Sequence, residues 1–266
     1  MIPSCICSFA TNNVEYDCTL FLKSLSHVHP NMNVIMFVDN YIDNMIQNMV
    51  DLSLNITTVS ILEIYSSKNR SQMELEGLWT NFQMIKSKLI DYGLQHYSDV
   101  LYLDCDIFFI NPIQWENMND HSLLLSEHYI SKWCTDLHGY YNGGVVWTND
   151  TSFPGKWRTF TETSRYFDQA SLEDCALCFD TGIIEENSNV AWWRIEIADE
   201  PKEKMLSYFY VNEENIYFKN KPITFVHTHF NVNNQNYSSF NEKIRELLKN
   251  CPNKQYLFEL LLQNHN

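Results

Sequence analysis

The stretch Asp99-Val-Leu-Tyr-Leu-Asp-Cys-Asp-Ile-Phe-Phe-Ile-Asn-Pro112 restricts the fold more than any other part of the chain. Val100 to Leu103 are β-branched, apolar or aromatic without alternation, which suits a strand covered on both faces, and Ile107 to Ile110 resume the run. Asp104 and Asp106 therefore fall at a strand end. Two acids held there repel unless a proton or a cation separates them, and hard divalent ions such as Mn²⁺ or Mg²⁺ take carboxylate oxygens. Ligands of open α/β sheets gather outside the carboxyl ends of the strands, and a diphosphate is a common partner of such an ion. A bare Asp-x-Asp is more often a solvated turn. The apolar runs on both sides weigh against that here.

The rest of the chain alternates strand-like and helix-like segments, as a doubly wound, mostly parallel sheet does. Strands are expected at Ser4 to Phe9, Val34 to Val38, Ile56 to Leu62, Leu123 to Ser126, Gly144 to Thr148, Ile216 to Phe218 and Ile223 to His227. Helices are expected at Val14 to Leu25, Tyr41 to Val50, Trp79 to Leu94, Phe167 to Phe179, Phe240 to Asn250 and Gln255 to Gln263. A polar patch lies around Ser66 to Ser71, and an aromatic loop carries Trp133, Tyr140 and Tyr141. No repeat and no Gly- or Pro-rich linker marks a domain boundary.

A hydrophobic content of 45% over 266 residues provides for a sizeable core, and the formal charge of −15 argues against nucleic acid as a partner. An anionic nucleotide would need local cationic compensation, which a metal ion held by acids supplies. No apolar run reaches the ~20 residues of a membrane-spanning helix, and the N-terminus lacks the order of a signal peptide. The expectation is a soluble protein of the cytoplasm. The eight cysteines show one zinc-like spacing, Cys175-x-x-Cys178, with no second pair to answer it, and it reads as a buried pair on one helix face.

Five segments in order carry a resemblance to a known superfamily. Ser8 to Tyr16, with Leu20, Leu22, Lys23, Ser24 and Leu25 behind it, resembles the nucleotide loop and first helix of glycogenin-type glycosyltransferases. Asp104-Cys-Asp106 resembles the metal motif of the GT-A fold, and Tyr141-Asn-Gly-Gly-Val-Val-Trp-Thr-Asn149 resembles the strand that holds the donor sugar. Phe167-Asp168-Gln169 resembles the Asp-Gln motif, and Phe225-Val-His-Thr-His-Phe230 resembles the late strand whose histidine completes the metal site. The chain resembles small glycosyltransferases of this superfamily, including those of large algal DNA viruses, in which case the compartment would be the host cytoplasm. It departs from glycogenin in two places. Asn231-Val-Asn-Asn234 stands where the Lys-Pro-Trp would be, and Gly143 stands for a serine, so self-glucosylation does not carry over.

The resemblance implies one GT-A domain over 1–266, with a nucleotide half at about 1–110, a sugar and acceptor half at about 111–235 and a helical tail at about 236–266. It implies metal ligation by Asp104, Asp106 and His229, with Asp104 also able to bind the ribose and His227 as the rival histidine. Ala10, Thr11, Asn12 and Tyr16 would hold the base and ribose. Lys86, with Lys88 competing, would face the diphosphate or sugar, and Asn142, Gly143, Asp168 and Gln169 would bind the sugar, the last two at the reacting carbon. The partners would be a nucleoside diphosphate sugar, with UDP as the nucleotide, and a glycan acceptor, and the ion would be Mn²⁺ or Mg²⁺. The motifs imply retention; if the enzyme inverts, Asp168 or Glu173 would be the base. Two other readings stand beside this one: a metal-dependent phosphohydrolase using Asp104 as nucleophile, and a catalytically silent carbohydrate-binding protein of the same fold.

Overall fold

The computed structural model describes residues 1–231 and 235–263. Val232 to Asn234, three of the four residues expected where glycogenin-type enzymes carry Lys-Pro-Trp, lie outside the described residues. In chain order the strands are β1 (Ile6–Ala10), β2 (Asn33–Val38), β3 (Asn55–Ser60), β4 (Val100–Leu103), β5 (Ile107–Phe109), β6 (Leu123–Glu127) and β7 (Tyr141–Thr148). They continue with β8 (Thr181–Ile184), β9 (Asn189–Ala191), β10 (Phe209–Val211), β11 (Ile216–Phe218), β12 (Lys221–Pro222) and β13 (Phe225–His227). Among the described residues the main sheet has seven strands in the order β3-β2-β1-β4-β7-β6-β8. Only β7 runs against its neighbours, so the sheet is mixed and mostly parallel. A second sheet, β5-β13-β9, continues from the end of β4, and β10-β11-β12 form a small antiparallel unit.

Alternation along the central strands sorts the core into two layers, because successive side chains leave a strand on opposite faces. Ile6 and Ala10 of β1, Val34 and Met36 of β2, and Leu101 and Leu103 of β4 pack against Phe21, Leu22 and Leu25 of the helix Glu15–Val28. Cys7, Ile35, Val100, Tyr102 and Val146 face the other way, onto Leu89 and Ile90 of the helix Ile85–Leu94 and Trp157 of the helix Phe153–Thr161. A third cluster joins Phe108, Val190 and Val226 of the second sheet to Phe240, Ile244, Leu257 and Leu260 of the C-terminal helices. The helices thus clamp the sheet and fix the strand ends that carry the site.

Several local expectations needed correction. The helix expected over Trp79 to Leu94 is two helices, Trp79–Gln83 and Ile85–Leu94, meeting at Met84. The polar patch contains the start of the helix Arg70–Leu75, closed by a reciprocal cap: Gln72 N–H donates to Asn69 Oδ1, and Asn69 N–H donates to Gln72 Oε1. The aromatic loop contains the helix Lys132–His138, capped by Ser131. β8, β9 and β10 are too short and too mixed in composition to stand out in the sequence. Cys175 is buried but Cys178 is exposed at its helix end, and neither is in a disulfide. No helix among the described residues is long and apolar enough to cross a membrane.

Candidate active site

β4 stops at Leu103 and β5 starts at Ile107, so Asp104-Cys105-Asp106 is the crossing from the main sheet to the second one. The Asp104 N–H donates to Gly144 O of β7 (2.9 Å), while the Asp106 carbonyl accepts from Thr228 N, just past β13 (3.0 Å). Each aspartate is thereby tied to a different sheet. His227 ends β13 and presents Nε2 3.0 Å from Asp106 Oδ1 and 3.9 Å from Asp104 Oδ2. Asp104, Asp106 and His227 each offer a ligand atom within 4.8 Å of the others, a spacing that an ion could draw together. His229, two residues on, shares the face: its Nε2 lies 3.5 Å from Asp106 Oδ2, and its Nδ1 lies 2.7 Å from Asp17 Oδ2.

Burial opposes ionisation of Asp106, but His227 and His229 outweigh it and hold the carboxyl well below the usual carboxylate range. Burial likewise would lower His229, and Asp106 and Asp17 outweigh it, raising the imidazole to about 9. An imidazolium thus occupies the cationic role beside Asp106. His227 is 3% exposed, packs against the Trp193 ring at 4.8 Å, and leaves Nδ1 without a hydrogen-bond partner among the described residues. Two carboxylates and two imidazoles, one of them with a buried nitrogen that has no partner among the described residues, make a donor set that could hold a divalent ion such as Mn²⁺ or Mg²⁺.

Lys86 links this group to the Asp-Gln motif. From the helix Ile85–Leu94 its ammonium lies 3.4 Å from Asp104 Oδ1 and 3.0 Å from Asp168 Oδ2, and donates to Gly143 O at 3.1 Å. Burial disfavours its charge, yet Asp104 and Asp168 outweigh that and keep it protonated. Burial raises Asp168 above the usual range, and Lys86 opposes the shift. Lys88 makes none of these contacts. The main-chain approach here is close because β7 bulges opposite Leu125 and Ser126. A Cβ on Gly143 would lie 2.6 Å from Asp168 Oδ2, and one on Gly144 would press on Asp104 Oδ2 and His227 Cε1.

Asn142 is buried beside that bulge, where its Oδ1 accepts from Gly144 N (3.2 Å) and Asn189 Nδ2 (3.3 Å) and its Nδ2 faces His128 Nε2 (3.3 Å). Gln169 donates to His138 O at 3.0 Å. Asn142, Gly143, Asp168 and Gln169 do not line the open cleft; Asp168 and Gly143 meet it through Lys86.

That cleft, about 460 Å³, runs from Asp104, Asp106 and His229 to the β1 loop. Ala10, Thr11 and Asn13 form one wall; Phe9, Trp79 and Phe82 give it an aromatic lining; Lys68 and Arg70 supply cations. Asn12 acts as a latch: its Oδ1 accepts from Ser67 N at 2.7 Å and its Nδ2 donates to Ser67 Oγ at 2.9 Å, tying the loop to the segment that bears Lys68. Tyr16 packs with the C-terminal cluster and does not line the cleft. Sequence reasoning missed Lys68, Arg70, Trp79, Phe82 and Asp17. The first two were visible as a basic pair in an acidic chain. Asp17 shares a helix face with Phe21 and Ser24, so an acid at an apolar stripe was the signal.

No protein-family model matches the chain, and no curated protein matches it. Among solved structures, the galactosyltransferase LgtC in complex with donor and acceptor sugar analogues aligns with a TM-score of 0.54 at 15% identity, over 91% of this chain and 96% of that one. The protein has the GT-A fold. An active-site mutant of LgtC gives the same TM-score at 16% identity and the same coverage. At such identity the likeness is one of fold. Within the GT-A fold of this chain, the Asp104–Asp106 crossing stands at the carboxyl end of β4, beside the carboxyl end of its parallel neighbour β1.

Proposed function

We propose that the protein is a metal-dependent glycosyltransferase that moves a monosaccharide from a nucleoside diphosphate sugar, with UDP as the nucleotide, to a sugar hydroxyl of a glycan, with retention. The observation that carries this reading is the convergence at one cleft of Asp104, Asp106 and His229, a buried lysine shared by Asp104 and Asp168, and an aromatic wall. Asp104, Asp106 and His229 are the metal ligands in this reading, and His227, already next to both carboxylates, joins them. A bound Mn²⁺ or Mg²⁺ ion would neutralise the leaving diphosphate.

The chain's own groups do the rest. Phe9, Trp79 and Phe82 offer faces and edges for a base, Thr11 and the Ala10 backbone border the ribose, and Lys68 and Arg70 face the phosphates. Both cations are paired with acids of their own segment, Lys68 with Glu76 and Arg70 with Glu74, in exposed bridges that a diphosphate can outcompete. Asp168 lies behind Lys86 rather than in the cleft, and in this reading its charge, held by that ammonium, acts on the anomeric carbon through the Lys86 group. Its engagement with the ammonium suits charge stabilisation better than proton abstraction. Glu173 is also committed, accepting from Arg165 at 2.7 Å and from Tyr140 N at 2.8 Å, which leaves an inverting base unsupported.

A thermal-shift screen of nucleotide sugars with and without Mn²⁺ tests the reading, since a ligand that binds only the folded state raises the apparent Tm. A UDP-sugar should raise it only with the ion present. Release of phosphate from simple phosphomonoesters, with no response to any nucleotide sugar, would favour the phosphohydrolase instead.

A further inference from the structure

We propose that Asp17 is a positioning residue of the metal centre, holding the His229 ring so that Nε2 faces Asp106. The inference rests on the metal-dependent reading above and adds a residue that the Asp-x-Asp and late-strand motifs do not contain. Asp17 lies in the first turn of the helix Glu15–Val28 and is 7% exposed. A buried carboxylate needs a partner, and this one has the His229 Nδ1 at 2.7 Å. With that nitrogen engaged by Asp17, Nε2, the atom 3.5 Å from Asp106 Oδ2, is the one left to take an ion in place of its proton.

The geometry has the form of a carboxylate–histidine–metal relay, in which the outer acid sets the tautomer and the ring orientation of the ligand. Among the described residues, the other group facing a ring nitrogen of His229 is Asp106, 3.5 Å from Nε2. Asn241 fixes the backbone, donating from Nδ2 to His229 O at 2.9 Å, and Tyr237 sets only a ring edge against the imidazole at 5.7 Å. Asp17 alone holds a ring nitrogen by a hydrogen bond among the described residues. His227 is held differently, by burial and by Trp193, so Asp17 acts on one histidine of the two. Because the helix bearing Asp17 follows directly on the Ala10–Val14 loop, the relay also joins the nucleotide wall to the ion.

The test measures Mn²⁺ binding to the full chain without nucleotide, by the loss of the free-ion paramagnetic resonance signal, for Asp17→Leu, Asp17→Asn, His229→Ala and Asp17→Leu/His229→Ala. Asp17→Leu should weaken Mn²⁺ roughly 10–100-fold. Asp17→Asn should recover most of that, since its carboxamide oxygen still accepts from Nδ1. The double variant should bind no more weakly than His229→Ala. Circular dichroism checks folding, and Asp17→Ala takes the leucine variant's place if that one fails to fold. Wild-type affinity in folded Asp17→Leu, equal losses in the Leu and Asn variants, or an additive double variant would each overturn the proposal. Unchanged Mn²⁺ binding in both His229→Ala and Asp106→Asn would instead overturn the metal centre itself.

Discussion

Replacing Lys86 by methionine isolates the buried charge cluster. Lys86 and Asp168 are each 5% exposed, and the ammonium lies 3.0 Å from Asp168 Oδ2. Removing one partner of a buried pair strands the other charge, which costs about 3–5 kcal/mol, while removing both is close to neutral. Asp104 loses less, because it also accepts from the Tyr102 hydroxyl and is partly open to solvent. At about 2–4 °C per kcal/mol for a chain of this size, Lys86→Met should lower Tm by roughly 6–20 °C. Lys86→Met/Asp168→Asn should regain at least half of that. The sign of the pH dependence follows from the same cluster. Burial already raises Asp168, and losing Lys86 raises it further, so its protonated folded form gains on the unfolded chain as pH falls. The deficit of Lys86→Met should therefore shrink between pH 7 and 5. Urea denaturation of wild type, both single variants and the double variant at both pH values decides. A Lys86→Met protein as stable as wild type, or a double variant as unstable as Lys86→Met, would refute the coupling.

Other outcomes follow from single contacts. Asn142→Ala and Asp168→Ala should cut turnover by a factor of roughly 10² or more yet spare affinity for the free nucleoside diphosphate, because neither lines the cleft wall: Asp168 is reached through Lys86, and Asn142 is buried beside the β7 bulge; calorimetry with the bare nucleotide and donor kinetics separate the two effects. Gly144→Ala should weaken Mn²⁺ at least about tenfold in a folded protein, since its Cβ displaces Asp104 and His227. His29 accepts from Ile113 N at 2.7 Å, and burial lowers it to about 4. The unfolded chain therefore binds its proton first, and stability should fall as pH drops from about 6.5 to about 4. The urea midpoint of His29→Gln should fall less steeply across that window.

Residues whose chemistry is local were legible in the sequence. β4 and the Asp pair could be read because an uninterrupted apolar strand running into acids does not suit a solvated turn; Lys86 came only through the family resemblance, with Lys88 as its rival, since a helical lysine alone reads as a solvated face. Contacts made by distant segments were not legible. The shared hold of Lys86 on Asp104 and Asp168 joins three parts of the chain, and the pairing of His229 with Asp17 spans nearly its full length. The cations Lys68 and Arg70 were read as a polar patch because the contacts that turn that segment toward the cleft, Asn12 with Ser67 and Asn13 Nδ2 with Lys68 O, come from a distant loop. Tyr16 went the other way, a candidate stacking residue that the helix rotates into the C-terminal cluster.

The most direct test of the central claim is calorimetric titration of UDP into the wild-type protein and into Asp106→Asn, each with Mn²⁺ and with EDTA, followed by donor turnover in the same four mixtures. The account predicts tight UDP binding and sugar transfer only for wild type with Mn²⁺, with Asp106→Asn folded but inactive. Equal binding and transfer in EDTA, or full activity of Asp106→Asn, would contradict it.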